Sequence, residues 1–164
     1  MLQRVPWNFL RIDGWPVLNA YARNVRQSLT FIEEGGEIVR LASGERVSLR
    51  RSQFRKYKIT ISGEATRKPA IDHLHRGDVV LIDCPGHIDL PGFVLEGDFH
   101  RAAVPGSIRY IGEVNGRPAL LEAGDARIVA TTFRPRLYIM IDNIEIDEDV
   151  TGGSVSWSLS GEEL

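Results

Sequence analysis

Apolar and polar residues alternate along most of this chain, and this period of two is typical of half-buried β-strands. In segments 57–61 and 154–160 every second residue is apolar, and segment 25–31 follows the same period with one glutamine among its apolar positions. Gly63 is expected to end the strand that begins at position 57. A single helical turn is predicted over 69–75, because the fixed φ of a proline suits the first turn of a helix.

Turn-forming residues separate these segments and predict how the strands pair. Asn115-Gly116 is the strongest short-range hairpin signal in the chain, and Pro118 confines the strand after it to a sheet edge. Ser43-Gly44 predicts a second hairpin with a two-residue connection. The turn at 151–153 should fold the last two strands together.

The middle of the chain differs in composition from the rest. The continuous apolar run 79–84 predicts a central strand, and the segment 85–136 after it contains five prolines and many glycines. We interpret 85–136 as an inserted β-hairpin region within a single β domain of residues 1–164. About nine short strands without a long helix predict an all-β fold, either a β-sandwich or a partly open β-barrel.

Composition narrows the class of protein further. The chain is 43% hydrophobic and 26% charged, as is usual for a globular protein, so a soluble chain outside the membrane is expected. Residues 1–18 lack the unbroken apolar run of a secretory signal. Cys84 is the single cysteine and cannot form an internal disulfide, which favours synthesis in a reducing compartment.

Charge is distributed unevenly, although the net charge is only −2. Residues 1–58 carry 11 Lys and Arg against five Asp and Glu, whereas 142–164 holds seven acidic residues and no basic one. Such an asymmetry is typical of a binding tail, of a nucleic-acid surface, or of a subunit with two complementary faces.

The sequence predicts neither a metal site nor an enzyme. Cys84, His87 and His100 include a spacing that zinc tolerates, but a structural zinc site needs four ligands, so a buried thiol with solvent-facing histidines is the simpler reading. No nucleophile elbow, zinc-protease motif, phosphate loop or dinucleotide motif is present. Asp147 and Asp149 are interpreted as solvated acids at a strand end. No cofactor is expected.

Two binding functions remain as alternatives to a structural role. A nucleic-acid-binding β-barrel could use the basic residues of 40–58 on phosphates and Phe54 and Tyr57 on bases, although the pI of about 6.1 argues against it. A carbohydrate-binding β-sandwich is the other alternative, because indole rings stack on sugars. Its candidates are Trp7, Trp15 and Trp157.

Two stretches carry a resemblance to a known family. Residues 54–63 read FRKYKITISG and are followed by KPAID at 68–72 and RGDVV at 76–80. The chain finishes with DEDV at 147–150 and GGSVSWSLSGEEL at 152–164. Both stretches resemble small structural tail proteins of long-tailed, siphovirus-like bacteriophages, whose acidic finish has the form V-x-W-S-L-x-x-E-E.

This resemblance implies a virion protein of the distal tail or baseplate, made in the cytoplasm of the bacterial host. Its partners would be copies of itself and other tail proteins, in a ring. Opposite charges on two surfaces favour a heterologous contact, which closes into a ring when the rotation allows it. The interface candidates are Arg50, Arg51, Arg55 and Lys56 on the basic side and Asp147, Glu148 and Asp149 on the acidic side.

Overall fold

A computed structural model describes residues 10–17, 22–32, 38–48 and 55–164. Within these residues the regular structure consists of strands and one short 3₁₀ helix, Glu96–Asp98, so the all-β prediction is confirmed. The strands are β1 Arg11–Ile12, β2 Trp15–Pro16, β3 Ala22–Phe31, β4 Ile38–Arg40, β5 Arg46–Ser48, β6 Tyr57–Ala65, β7 Val79–Asp83, β8 Ile88–Pro91, β9 Arg109–Val114, β10 Arg117–Leu121, β11 Ile128–Phe133, β12 Arg136–Asp149 and β13 Ser154–Glu163.

Seven strands form the main sheet, in the order β2-β1-β7-β12-β13-β6-β3 with antiparallel pairing throughout. The sheet curls into a half-barrel, as predicted for a partly open barrel. Its concave face carries the core, because every second residue of the central strands is apolar and buried. The core includes Ile59, Ile61, Val80, Ile82, Leu137, Ile139, Ile141, Trp157 and Leu159.

Strands β12 and β13 form the longest hairpin and the centre of the main sheet. Their pairing runs from Ile139 opposite Glu163 to Asp149 opposite Ser154, with one shift of register between Ile141 and Asn143. The alternation predicted for 154–160 is confirmed: Val155, Trp157 and Leu159 are buried, while the serines face outward.

Gly63 was expected to end the strand, but it lies inside β6 and makes room for Trp157. The two residues are direct partners across β6 and β13. A Cβ atom on Gly63 would lie 2.9 Å from the indole ring, closer than such atoms approach in proteins. The strand continues to Ala65. A glycine inside a strand pattern therefore marks a close approach here rather than a boundary.

The predicted helical turn over 69–75 is wrong, because this segment forms successive turns. The backbone N–H of Leu74 donates to the carbonyl of Ile71, and that of Asp78 donates to the carbonyl of His75. The Asp78 carboxylate also accepts the His75 N–H at 2.7 Å. Local side-chain acceptors of this kind compete with helix formation.

The segment between β7 and β12 contains a second antiparallel sheet, in the order β10-β9-β11-β8. The predicted hairpin at Asn115-Gly116 is confirmed, with φ of 53° and 73° at the two residues, as a type I′ turn requires. Pro118 lies on the edge strand β10, also as predicted. The interpretation of 85–136 as an insertion in a single domain stays a prediction.

The hairpin of β4 and β5 is present, but its connection is longer than predicted. Leu41 and Glu45 still share a backbone hydrogen bond of 2.9 Å, so three residues form the loop. Gly44 has a φ of 86°, which is the left-handed position of a three-residue hairpin loop.

Candidate functional site

A cleft of about 600 Å³ opens where one end of the main sheet faces the second sheet. We call it the basic cleft, because cationic and apolar side chains line it together. Its lining residues are Phe31, Arg55, Lys56, Tyr57, Ile88, Leu90, His100, Arg101, Phe133, Glu163 and Leu164. The volume is in the range of sites that hold a ligand or a short segment of another chain.

A largely buried ion pair fixes one wall of the basic cleft. Arg101 Nε and Nη2 donate to the two carboxylate oxygens of Glu163 at 2.8 and 2.7 Å, and both side chains are about 15% exposed. The Tyr57 N–H donates to the same carboxylate at 2.8 Å, and Arg101 also donates to the carbonyl of Arg55. The bidentate geometry holds both charges in place and balances them against each other.

An aromatic stack continues this wall. The Arg101 guanidinium lies 4.2 Å from the centroid of the Tyr57 ring, and the rings of Tyr57 and Phe31 are stacked at 4.5 Å with an angle of 26° between their planes. Phe31 remains 55% exposed at the sheet edge. The cleft therefore offers a rigid aromatic surface that a second ring or an apolar side chain can cover.

The remaining charges of the basic cleft are cationic. Arg55 is exposed and Lys56 is half-buried at its rim, whereas Arg101 is neutralised by Glu163. The apolar part of the cleft is formed by Ile88 and Leu90 with the buried Phe133, whose ring stacks on Phe99 at 4.2 Å. The chemistry fits a ligand that combines an anionic group with an apolar part.

The acidic interface candidates lie at the other end of β13. Asp147, Glu148 and Asp149 are exposed at the end of β12, next to Ser154, where β13 begins. Glu163 is the last residue of this ten-residue strand. A strand of that length spans about 30 Å, so the three acids are far from Arg55 and Lys56 within one subunit. Arg50 and Arg51 lie outside the described residues.

Asp149 has a structural role in this region as well as a charge. Its Oδ1 accepts the N–H groups of Thr151 and Gly152 at 3.0 and 2.9 Å and so stabilises the turn between β12 and β13. Asp147 and Glu148 have no such role. Glu148 lies near Lys68, whose pKa is raised chiefly by its hydrogen bond to Asp72 and, to a smaller extent, by the charge of Glu148.

The expectation of opposite charges on two surfaces is wrong where the basic segment 1–58 meets the acidic segment 142–164. β6 pairs with β13, and this places Lys58 opposite Glu162 with an N–O distance of 3.8 Å. Glu163 is bound by Arg101, so neither glutamate belongs to a free acidic surface. At the turn end of the acidic segment, Asp147, Glu148 and Asp149 are exposed and keep that character.

Sequence reasoning found Arg55, Lys56 and Tyr57 but missed the other residues of the basic cleft. Arg101 is 62 positions from Glu163 and 46 from Arg55. It comes from the connection between the 3₁₀ helix and β9, where no periodicity shows what it contacts. A lone arginine in a loop gives no signal of its partner.

The predicted metal candidates do not converge. Cys84 is fully buried, and burial together with the nearby charge of Asp83 raises the pKa of its thiol to about 12. His87 and His100 are exposed. In the part of the chain that the structure describes, no three His, Cys, Asp or Glu side chains are grouped closely enough to hold a metal ion.

The convex face of the main sheet carries an exposed apolar patch. Val79 is directly opposite Met140, and Leu81 is opposite Tyr138, across β7 and β12. Leu164 adjoins them through its N–H, which donates to the carbonyl of Tyr138 at 3.0 Å. Four of these five side chains are between 41 and 61% exposed. We call this group the outer apolar patch.

The tryptophans proposed for sugar binding differ in their environments. Trp157 is buried in the core and cannot stack on a ligand. Trp15 is 76% exposed and lines a shallow groove with Asp72 and His73. Trp7 lies outside the described residues. Trp15 is therefore the one described residue that fits the carbohydrate hypothesis.

Comparison of the chain with models of protein families gives no match, and neither do comparisons with curated proteins or with solved structures. Among the described residues, no helix has the length and apolar character needed to cross a membrane.

Proposed function

We propose that this chain is a structural subunit of a bacteriophage tail, which assembles with copies of itself and with other tail proteins into a ring at the distal end. The observation that carries the proposal is the outer apolar patch. Four of its side chains lie on the neighbouring strands β7 and β12, and Leu164, which also lines the basic cleft, follows β13 beside Tyr138, so they form one surface and are not scattered exposed residues.

The outer apolar patch can supply the binding affinity that charges alone cannot provide. Covering a half-exposed valine, methionine or tyrosine with a partner contributes roughly 1 kcal/mol each, whereas exposed ion pairs contribute little and are screened by salt. An assembly subunit needs such an apolar surface for affinity and charged surfaces for orientation.

The resemblance to tail proteins supports the particular kind of assembly. Residues 57–63 of the first stretch and 154–163 of the second lie side by side in β6 and β13, with Ile61 opposite Leu159. They therefore form adjacent strands of the main sheet, where two proteins with the same fold are expected to have similar residues.

Virions test this function directly. Particles should be purified from the phage culture that encodes the chain, analysed by mass spectrometry and labelled with gold-conjugated antibody. We expect the chain in several copies per particle, with label at the tail end away from the capsid. Absence from intact particles, with abundant chain in the lysate, would refute the role.

Nucleic-acid binding is the second candidate, and one observation favours it. The basic cleft places Arg55 and Lys56 beside the stacked Phe31 and Tyr57, a combination that binds phosphates and bases in single-strand binders. Fluorescence anisotropy with labelled oligonucleotides tests it. Salt-sensitive binding that Arg55→Glu with Lys56→Glu abolishes would support this candidate over the structural one.

A further inference from the structure

We propose that the basic cleft of one subunit receives the turn between β12 and β13 of a neighbouring copy. We call residues 147–153 the acidic turn. The inference rests on the proposed self-assembly and specifies the contact by which copies join.

Charge complementarity is the first argument. The acidic turn presents three exposed carboxylates, those of Asp147, Glu148 and Asp149. The rim of the basic cleft presents Arg55 and Lys56, while its third cation, Arg101, is already bound to Glu163. Each surface repels its own copy and attracts the other, so a contact in which two turns or two clefts face each other is disfavoured.

Apolar complementarity is the second argument. Val150 follows the three acids at the start of the turn and is 87% exposed, the highest value among the large apolar side chains described. The cleft is lined by the apolar side chains of Ile88 and Leu90 as well as by Arg55 and Lys56. A turn with one projecting apolar side chain and flanking carboxylates therefore matches both kinds of lining residue.

The positions of the two surfaces are the third argument. The acidic turn lies directly before β13, and the basic cleft contains the last residue of this strand, Glu163, so the surfaces lie at opposite ends of one ten-residue strand. A turn cannot reach the cleft of its own subunit over about 30 Å. Copies in which each turn enters the cleft of the next copy are joined head to tail, which produces rings or filaments, whereas two copies that exchange their turns would close as a dimer.

Paired charge reversals test the contact. The turn variant carries Asp147→Lys and Glu148→Lys and keeps Asp149, because Asp149 stabilises the turn. The cleft variant carries Arg55→Glu and Lys56→Glu, whose side chains take no part in the Arg101–Glu163 pair.

A matched control makes the same change of charge as the turn variant at a different place on the surface. It carries Glu113→Lys and Glu122→Lys, two exposed acids near the hairpin of β9 and β10. Circular dichroism spectra and thermal melts establish that all variants fold. Native mass spectrometry and light scattering then measure the oligomers.

We expect the wild type and the control to assemble, and each reversal variant alone to assemble at least about tenfold more weakly, because like charges meet at the contact. An equimolar mixture of the turn and cleft variants should recover assembly, since each turn then meets a cleft of opposite charge. Oligomers that alternate the two variants are the result specific to this contact.

The possible outcomes distinguish a failure of this contact from a failure of the proposed function. If the wild type assembles and both folded reversal variants assemble equally well, the contact is refuted and the structural role stands on other surfaces. If the wild type stays monomeric at every concentration, the contact and self-assembly are both refuted. A wild-type monomer whose cleft binds oligonucleotides would favour the nucleic-acid candidate instead.

Discussion

Replacing Trp157 with alanine tests the arrangement at the centre of the main sheet. The indole is 4% exposed and packs on Gly63, directly across the pair of β13 and β6. Among the described residues its Nε1 has no hydrogen-bond partner, so the substitution removes packing and not a hydrogen bond. Loss of a buried tryptophan costs about 3–5 kcal/mol, because the remaining cavity cannot be filled.

Such a loss is a large part of the stability of a domain, which is typically about 5–15 kcal/mol. For a chain of this size it corresponds to a decrease of roughly 6–20 °C in Tm. Urea denaturation and a thermal melt, both followed by circular dichroism, measure the two quantities. The substitution Trp157→Phe should cost less than alanine, since a ring remains and no polar group is left unpaired.

The chain supplies its own control in Trp15, which is 76% exposed. Trp15→Ala should change the free energy of unfolding by no more than about 0.5 kcal/mol. Equal effects of the two alanine substitutions would refute the placement of Trp157 in the core and, with it, the register of β13.

The other predictions concern buried polar and reactive groups. Arg136→Met should lower the free energy of unfolding by about 3 kcal/mol, because it leaves the buried Asp83 carboxylate without its bidentate partner at 2.6 and 3.0 Å; adding Asp83→Asn should recover part of the loss, and no recovery would contradict this reason. Cys84 should react with iodoacetamide only after unfolding, because its thiol is buried and its pKa is raised to about 12; rapid labelling of the native chain would contradict its position. Dialysis against a chelator should leave Tm unchanged, whereas stoichiometric zinc that resists removal would reopen the roles of Cys84, His87 and His100.

Strand periodicity and turn chemistry were predictable from the sequence, because both depend on neighbouring residues. The alternation at 57–61 and 154–160 fixed which side chains enter the core, since a slip of one residue would expose all of them. Asn115-Gly116 specified its hairpin because both residues accept a positive φ.

The features that the sequence did not reveal depend on contacts between distant segments. Gly63 taken alone indicates a strand end, because its role inside β6 depends on Trp157, which lies across from it. In the second sheet β8 pairs with β11, although the hairpin of β9 and β10 lies between these two strands in the chain. Three residues of the candidate site were predictable, the basic Arg55 and Lys56 and the aromatic Tyr57, but Arg101 and Phe31 reach the cleft from elsewhere in the chain.

Electron microscopy of the purified wild-type chain, across a range of protein concentrations, tests the central claim most directly. A structural ring subunit with complementary surfaces at opposite ends of β13 should form closed rings, or head-to-tail chains, whose number increases with concentration and decreases with added salt. Isolated monomers at all concentrations, or closed dimers with two-fold symmetry, would contradict it.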